Sequence, residues 1–247
     1  QFAKGHRPWQ MNLAKNPPHH LMQAGPKPGG HASLRRFLQR NQIVKIGREF
    51  VAQVGPRVAP GQLGLLRAAI GEVHKIDADR IICGVGSDEI IHFLAQAYVG
   101  QGDEVVFTEH GFLVYRIYIQ AQGAVPVAVK ETDRTADVDA ILARVTERTR
   151  MVFLANPNNP TGALYSDEIL NGIVQIARTH GLVIFADEVY DKVLYDGVKH
   201  TPIASLSQDV LTLTFNSLSK SYRSCGYRAG WMIVSGDKRP ASDYIEG

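Results

Sequence analysis

A chain of 247 residues, 45% hydrophobic and 21% charged with a formal net charge of +3, has an ordinary globular composition and room for one large α/β domain or two small ones. No apolar run is long enough for a bilayer, no h-region with a small-residue cleavage site opens the sequence, and Cys83 and Cys225 lie far apart without CxxC spacing. A membrane protein, a disulfide scaffold and a zinc site are therefore set aside, and a reducing cytoplasm is expected. Basic residues are scattered apart from a mild excess before residue 60 (Lys4, Arg7, Arg35, Arg36 and others), read as a solvated face rather than a surface for nucleic acid or lipid. The histidines, His19–His20 included, show no ligand spacing such as HExxH.

Residues 1–60 are rich in Pro and Gly (KNPPHH, QAGPKPGGH) and read as loop, with weakly helical spacing around Ala32–Val54. From Gly61 the pattern is regular. Helical spacing over Leu65–Val73 is followed by a short apolar run, Arg80–Cys83, that ends in GVGS, and helical spacing returns at Asp88–Tyr98. Glu104–Thr108 reads as a strand, Tyr115–Gln122 as a helix, Val125–Val129 as a strand and Val138–Val145 as a helix. Met151–Ala155 is a strand running into NPNNPTG. Ser166 followed by Asp167 and Glu168 starts a helix, and Gly181 after His180 stops it. Leu182–Ala186, Leu211–Phe215 and Trp231–Val234 are continuous apolar strands. Such strands alternating with helices predict a mainly parallel sheet covered by helices on both faces.

In such folds ligands bind outside the carboxyl ends of the strands. Four unusual segments fall there: GVGSDE after Cys83, NPNNPTG after Ala155, DEVY after Ala186 and SLSK after Phe215. Glycines between a strand and a helix leave amides free to hold a phosphate. Glu89, however, stands where GxGxxG needs its third glycine, and an ordinary tight turn reads equally well. Asp187 is either a helix cap, an ion-pair member or a carboxylate awaiting a cation. Asn159 is either turn chemistry or a ligand contact, and Arg228 either an exposed charge or an anion contact. Lys220, at the end of an apolar strand, is either a loop lysine in water or a buried nucleophile of lowered pKa. Taken together, a lysine able to form a Schiff base, a carboxylate able to pair with a pyridinium nitrogen and a set of phosphate donors describe a pyridoxal-phosphate site.

The segments NPNNPTG, ADEVYDKVLYDG and SLSKSYRSCGYRAGW closely resemble class I/II aminotransferases, the fold-type-I pyridoxal-phosphate family, over Gly61–Gly247. Residues 61–162, with LRAAIGEVH and EHGFLVYRI, resemble histidinol-phosphate aminotransferases, and residues 163–247, with LTLTFNSLSKSYR, the alanine aminotransferase branch. The resemblance implies the α/β large domain of that fold over 61–247 and a transaminase exchanging amino groups between an amino acid and a 2-oxo acid. It further implies a homodimer; no nucleic-acid or membrane partner is expected, on the scattered basic residues and the lack of a long apolar run. By the same resemblance Lys220 carries the cofactor and moves the proton between the substrate α-carbon and the cofactor C4′. Asp187 keeps the pyridine nitrogen protonated, Asn159 and Tyr190 bond the phenolic oxygen, and Phe112 stacks on the ring. Gly86, Ser87 and Asp88 hold the phosphate through backbone amides, with Ser217, Ser219 and Arg228 beside them.

Three features depart from the family pattern. The arginine that clamps the substrate α-carboxylate belongs to a small C-terminal domain that the sequence through Gly247 does not match, so the large domain is expected without it. VGPRVAPGQLG lacks the tyrosine that reaches the partner subunit's phosphate, and residues 1–60 match poorly. A pyridoxal-phosphate lyase and a truncated, non-catalytic cofactor-binding module are therefore carried as alternatives. A DNA-binding regulator is set aside for want of a helix-turn-helix in residues 1–60.

Overall fold

The computed structural model describes residues 62–237. The readings of residues 1–60, including the helical spacing at Ala32–Val54, fall outside the described residues. In chain order the elements are α1 (Gln62–His74), β1 (Ile81–Gly84), α2 (Ser87–Tyr98), β2 (Glu104–Thr108), α3 (Leu113–Ala121) and β3 (Val125–Val129). A short hairpin, β4 (Glu131–Thr132) and β5 (Thr135–Ala136), leads to α4 (Val138–Arg144), β6 (Thr149–Ala155), α5 (Asp167–His180) and β7 (Val183–Asp187). The last elements are β8 (Thr212–Ser217) and β9 (Gly230–Ser235), with short 3-10 turns at Ala78–Arg80, Ile203–Leu206 and Cys225–Tyr227.

The main sheet has seven strands in the order β1-β9-β8-β7-β6-β2-β3. The pairs β2/β3, β2/β6, β6/β7 and β7/β8 are parallel, and β9 runs antiparallel to both of its neighbours. Residues 218–229 contain a 3-10 turn and no crossover helix, so the chain doubles back beside β8. That return sets Ser217 opposite Gly230.

Helices cover both faces of the sheet, so apolar residues on both faces of its central strands are buried. Along β6, Met151 and Phe153 join one core with Ile90, Ile91 and Leu94 of α2 and Tyr115 and Ile119 of α3. Val152 and Leu154 point the other way, toward Ile141 of α4 and Leu170, Ile173 and Val174 of α5. Ile70 of α1 packs with Ile81, Cys83, Trp231 and Ile233 at the β1/β9 edge. Within the first core Phe153, Phe185 and Phe215 form an edge-to-face series across β6, β7 and β8, with centroid spacings of 4.9 and 5.4 Å. Each such ring contributes about 1.5–3 kcal/mol by burial.

Helix α5 begins and ends as its sequence requires. Ser166 Oγ accepts the Ile169 amide, Asp167 and Glu168 occupy the first turn, and Gly181 closes the helix at φ 64°. The expected start of α3 at Tyr115 moves to Leu113, with Phe112 as the N-cap. The β4/β5 hairpin has no Gly signature, because Asp133 and Arg134 themselves take positive φ of 51° and 60°.

Gly230 packs tightly against the turn between β1 and α2: a Cβ there would lie 2.2 Å from Ser87 N and 2.4 Å from Gly86 C, both backbone atoms. Gly230→Ala is therefore expected to destabilise the chain by about 1–3 kcal/mol, seen as a lower denaturant midpoint at unchanged m-value. A midpoint equal to wild type would show that the Gly86–Ser87 turn yields freely.

Candidate active site

Because the parallel strands share a direction, their carboxyl ends open onto one edge, and the loops that follow them meet there. Asp187 closes β7, Ser217 closes β8, Gly86 sits between β1 and α2, Phe112 precedes α3, and Asn159 lies in the loop after β6.

Asp187 is buried to 2% exposure. Its Oδ2 accepts bonds from the Tyr115 hydroxyl and from Asn159 Nδ2 (3.4 Å), and its Oδ1 accepts the Val189 amide at 3.3 Å. Burial raises its pKa, opposed by those three hydrogen bonds and by the charge of Lys220. Tyr115 stacks on Phe153 at 4.5 Å between ring centroids and meets Phe112 edge-on at 5.8 Å. Burial, and then the neighbouring Asp187, raise the Tyr115 pKa well above its ordinary value, so the phenol keeps its proton and remains the donor. Phe112, half-buried, and Asn159, buried, are thereby tied to the same carboxylate.

At the head of α2, Gly86 is the N-cap at φ 128°, with no side-chain cap. The first amides of a helix have no intrahelical partner, so those of the first turn here suit an anion. A Cβ on Gly86 would come within 2.9 Å of Arg228 Nη2, which sets the guanidinium directly over this turn. The side chains beneath are turned away from it: Glu89 Oε2 accepts the Val85 amide at 3.0 Å, and Asp88 Oδ2 accepts the Tyr118 hydroxyl at 2.9 Å. A cleft of about 540 Å³ opens between Val85 and Asp88 on one side and Tyr227 and Arg228 on the other. Ser217 is buried, and its Oγ accepts the amide of half-buried Ser219 at 3.3 Å.

Of the two sequence readings of Lys220, a loop lysine in water or a buried nucleophile, the structure shows the first placement: the side chain is exposed. Strand β8 ends at Ser217, and the bend that follows carries Lys220 out of the core. Its Nζ lies 5.8 Å from the centroid of the Tyr190 ring. The turn is fixed on the DEVY segment by Ser221, whose hydroxyl is 2.8 Å from the Val189 carbonyl and 2.9 Å from Asp191 Oδ1. Lys220 and Tyr190 are thus held together, and the charge of Lys220 reaches Asp187.

The family model described as aminotransferase class I and II matches residues 57–242. This chain belongs to that family. Among aminotransferases, the histidinol-phosphate aminotransferase of Paracoccus denitrificans is 52% identical over 169 residues, 67% of this chain and 44% of that protein. The alanine aminotransferase of Mycobacterium bovis is 36% identical over 258 residues, 99% of this chain and 56% of that protein. The solved alanine aminotransferase of Pyrococcus furiosus matches with a TM-score of 0.72 at 29% identity, over 84% of this chain and 56% of that one. The chain spans about half the length of the curated relatives it matches. The expected fold, the large domain of a fold-type-I aminotransferase, is the one these relatives share.

Pyridoxal phosphate, the cofactor of aminotransferases, fits the residues present. The turn at Gly86 has space that a side chain would fill, a guanidinium stands over it, and a desolvated carboxylate lies at the strand ends where a ring cation would neutralise it.

Two contributors were not legible in the aminotransferase motifs. Tyr115 follows Phe112 at a helical i, i+3 spacing, and that spacing was the available signal for it. Glu188, buried at 4% exposure, accepts the Ile203 amide at 3.0 Å. Burial pushes its carboxyl from an ordinary 4.5 up to about 8, opposed by that amide and assisted by Asp191 and Asp187. A carboxyl raised on folding keeps its proton where the unfolded chain has released it, so stability falls as pH rises. The cofactor-free chain is therefore expected to be most stable below 4.5 with respect to this group and to lose that contribution as pH climbs to about 8. Glu188→Gln should flatten the decline by on the order of a few kcal/mol, measured as the pH dependence of the denaturant midpoint. An unchanged profile would mean that Glu188 titrates as it does in the unfolded chain.

Proposed function

We propose that this chain is the cofactor-binding part of a pyridoxal-phosphate-dependent transaminase, with residues 61–247 forming its large domain. Bound pyridoxal phosphate supplies an aldehyde for amine exchange and an electron-accepting pyridinium ring. Asp187 holds the ring nitrogen protonated through its buried carboxylate, itself oriented by Tyr115 and Asn159. Asn159 and Tyr190 would hold the ring's phenolic oxygen, and Phe112 would pack against the ring. The amides of Gly86, Ser87 and Asp88, with Ser217, Ser219 and the Arg228 guanidinium, bind the phosphate. Lys220 Nζ is the attachment point for the cofactor and the base at the substrate α-carbon.

The observation that carries this reading is the meeting of a buried carboxylate, an anion-suited helix start under Arg228, and a lysine beside Tyr190 at one edge of the sheet. The exposure of Lys220 agrees with an amine that must meet an incoming aldehyde. The substrates are an amino acid or amino-acid-like amine, of histidinol-phosphate or alanine type, and a 2-oxo acid, supported by the names of the relatives. The native assembly is a homodimer in the cytoplasm. Free thiols at Cys83 and Cys225 support that compartment, and among the described residues no helix is long and apolar enough to cross a membrane.

Half-reactions with single amino acids test the function. Conversion of the bound cofactor to its amine form, with release of the matching 2-oxo acid and no loss of a β-substituent, is the expected result. Release of a β-substituent with ammonia would make the chain a lyase instead.

A further inference from the structure

Beneath the ring-binding residues lies a buried pair that the proposed chemistry does not use. His200 and Glu188 side chains are 8% and 5% exposed, with His200 Nε2 3.7 Å from Glu188 Oε2. The same Nε2 is 2.9 Å from the Asn156 carbonyl oxygen. A carbonyl only accepts, so Nε2 carries the proton and donates it to Asn156. Burial lowers the His200 pKa, opposed by the hydrogen bond to the Asn156 carbonyl, while Asp191 raises it and Lys192 lowers it.

Asn156 is the first residue of the loop that carries Asn159. Its amide donates to the Asp187 carbonyl at 3.0 Å, its Oδ1 accepts the Tyr165 amide at 3.0 Å, and its Nδ2 is 3.4 Å from the Thr201 carbonyl. Glu188 follows Asp187 directly. Its amide donates to Phe215 O at 3.0 Å, its carbonyl accepts Asn216 Nδ2 at 3.2 Å, and its Oε1 accepts the Ile203 amide. The pair therefore joins the ends of β6, β7 and β8 to the segment that leads into the Ile203 turn. His200 itself stands in a stretch without helix or strand. Its ring is consequently fixed by these contacts and not by an element of its own.

We propose that His200, seated against Glu188, is a positioning residue for Asn159 and Asp187: by donating to the Asn156 carbonyl it fixes the loop whose Asn159 touches the Asp187 carboxylate, and so sets the affinity and electronic state of the bound cofactor. This rests on the cofactor reading above. Loss of the donor leaves a buried carbonyl without its partner, and the whole loop then relaxes to find one.

The test compares wild type with H200M, which fills the space without a donor, and H200Q, whose amide nitrogen can stand where Nε2 stands. Three readouts are taken on the full chain: amide exchange of residues 156–165 without cofactor, affinity for pyridoxal phosphate, and the pH midpoint of the bound cofactor's absorption band. H200M should exchange faster in that segment, bind the cofactor about tenfold more weakly and shift the midpoint, while H200Q stays near wild type in all three. H200M indistinguishable from wild type, or H200Q as impaired as H200M, would overturn the proposal. Amide exchange is read without cofactor. It therefore decides the brace even if wild type binds no pyridoxal phosphate, a result that would sink the cofactor reading separately.

Discussion

Lys220→Ala is expected to lower the rate of amino-group exchange by roughly 10²–10⁴-fold and to leave the fold untouched. The large kinetic effect follows from the two tasks proposed for the amine, as attachment point and as base at the α-carbon. Lys192, in the same DEVYDK segment as Tyr190, is already paired at 3.2 Å with Asp191. The small structural effect follows from exposure, because Lys220 lies in a bend beyond β8 and contributes no side-chain packing to the cores. Exposed substitutions of this kind change stability by about 0.5 kcal/mol or less. Single-turnover absorbance with an amino acid gives the first quantity and thermal unfolding the second. A variant that exchanges amino groups at the wild-type rate would remove Lys220 from the chemistry, and a variant that unfolds would make it structural.

Asp187→Asn produces two effects of opposite sign. In the cofactor-free chain the carboxyl is desolvated, and its pKa is raised despite bonds from Tyr115, Val189 and Asn159. Replacing it with a neutral amide removes that penalty, so the cofactor-free variant is as stable as wild type or more so at neutral and alkaline pH. With the cofactor the balance reverses. The ring cation loses its buried counter-charge, and breaking such a pair costs about 2–5 kcal/mol, a weakening of cofactor binding by roughly 30-fold or more. Absorbance titration and unfolding midpoints at one pH give both numbers. Unchanged affinity together with a less stable cofactor-free chain would assign Asp187 to the scaffold.

The legibility of this chain follows the physics of each signal. Helix α5 was readable to its caps because Ser166 and Gly181 act locally. Strands β2 and β3 matched their expected bounds because each has an apolar run with no polar residue inside it, although only β2 is buried along its whole length. The direction of β9 was not readable, since antiparallel return depends on what residues 218–229 lack and not on any residue of β9 itself. The exposure of Lys220 was left open by the sequence because an apolar strand says nothing about where the following bend points. The predicted site residues lie at the carboxyl edge, in the loops beside it or at the head of α2, yet one of the contacts that orient Asp187 comes from Tyr115, 72 positions earlier in the chain. His200 reaches back 44 positions to Asn156. Such contacts carry no local pattern, and only the folded sheet brings their partners together.

The most direct measurement of the central claim is chemical. The purified chain is mixed with pyridoxal phosphate, reduced with borohydride and mapped by peptide mass. The expected result is a new absorption band that reduction abolishes, with the reduced adduct on the peptide that contains Lys220. A folded chain that forms no adduct, or forms it on surface lysines in proportion to their exposure, would contradict it.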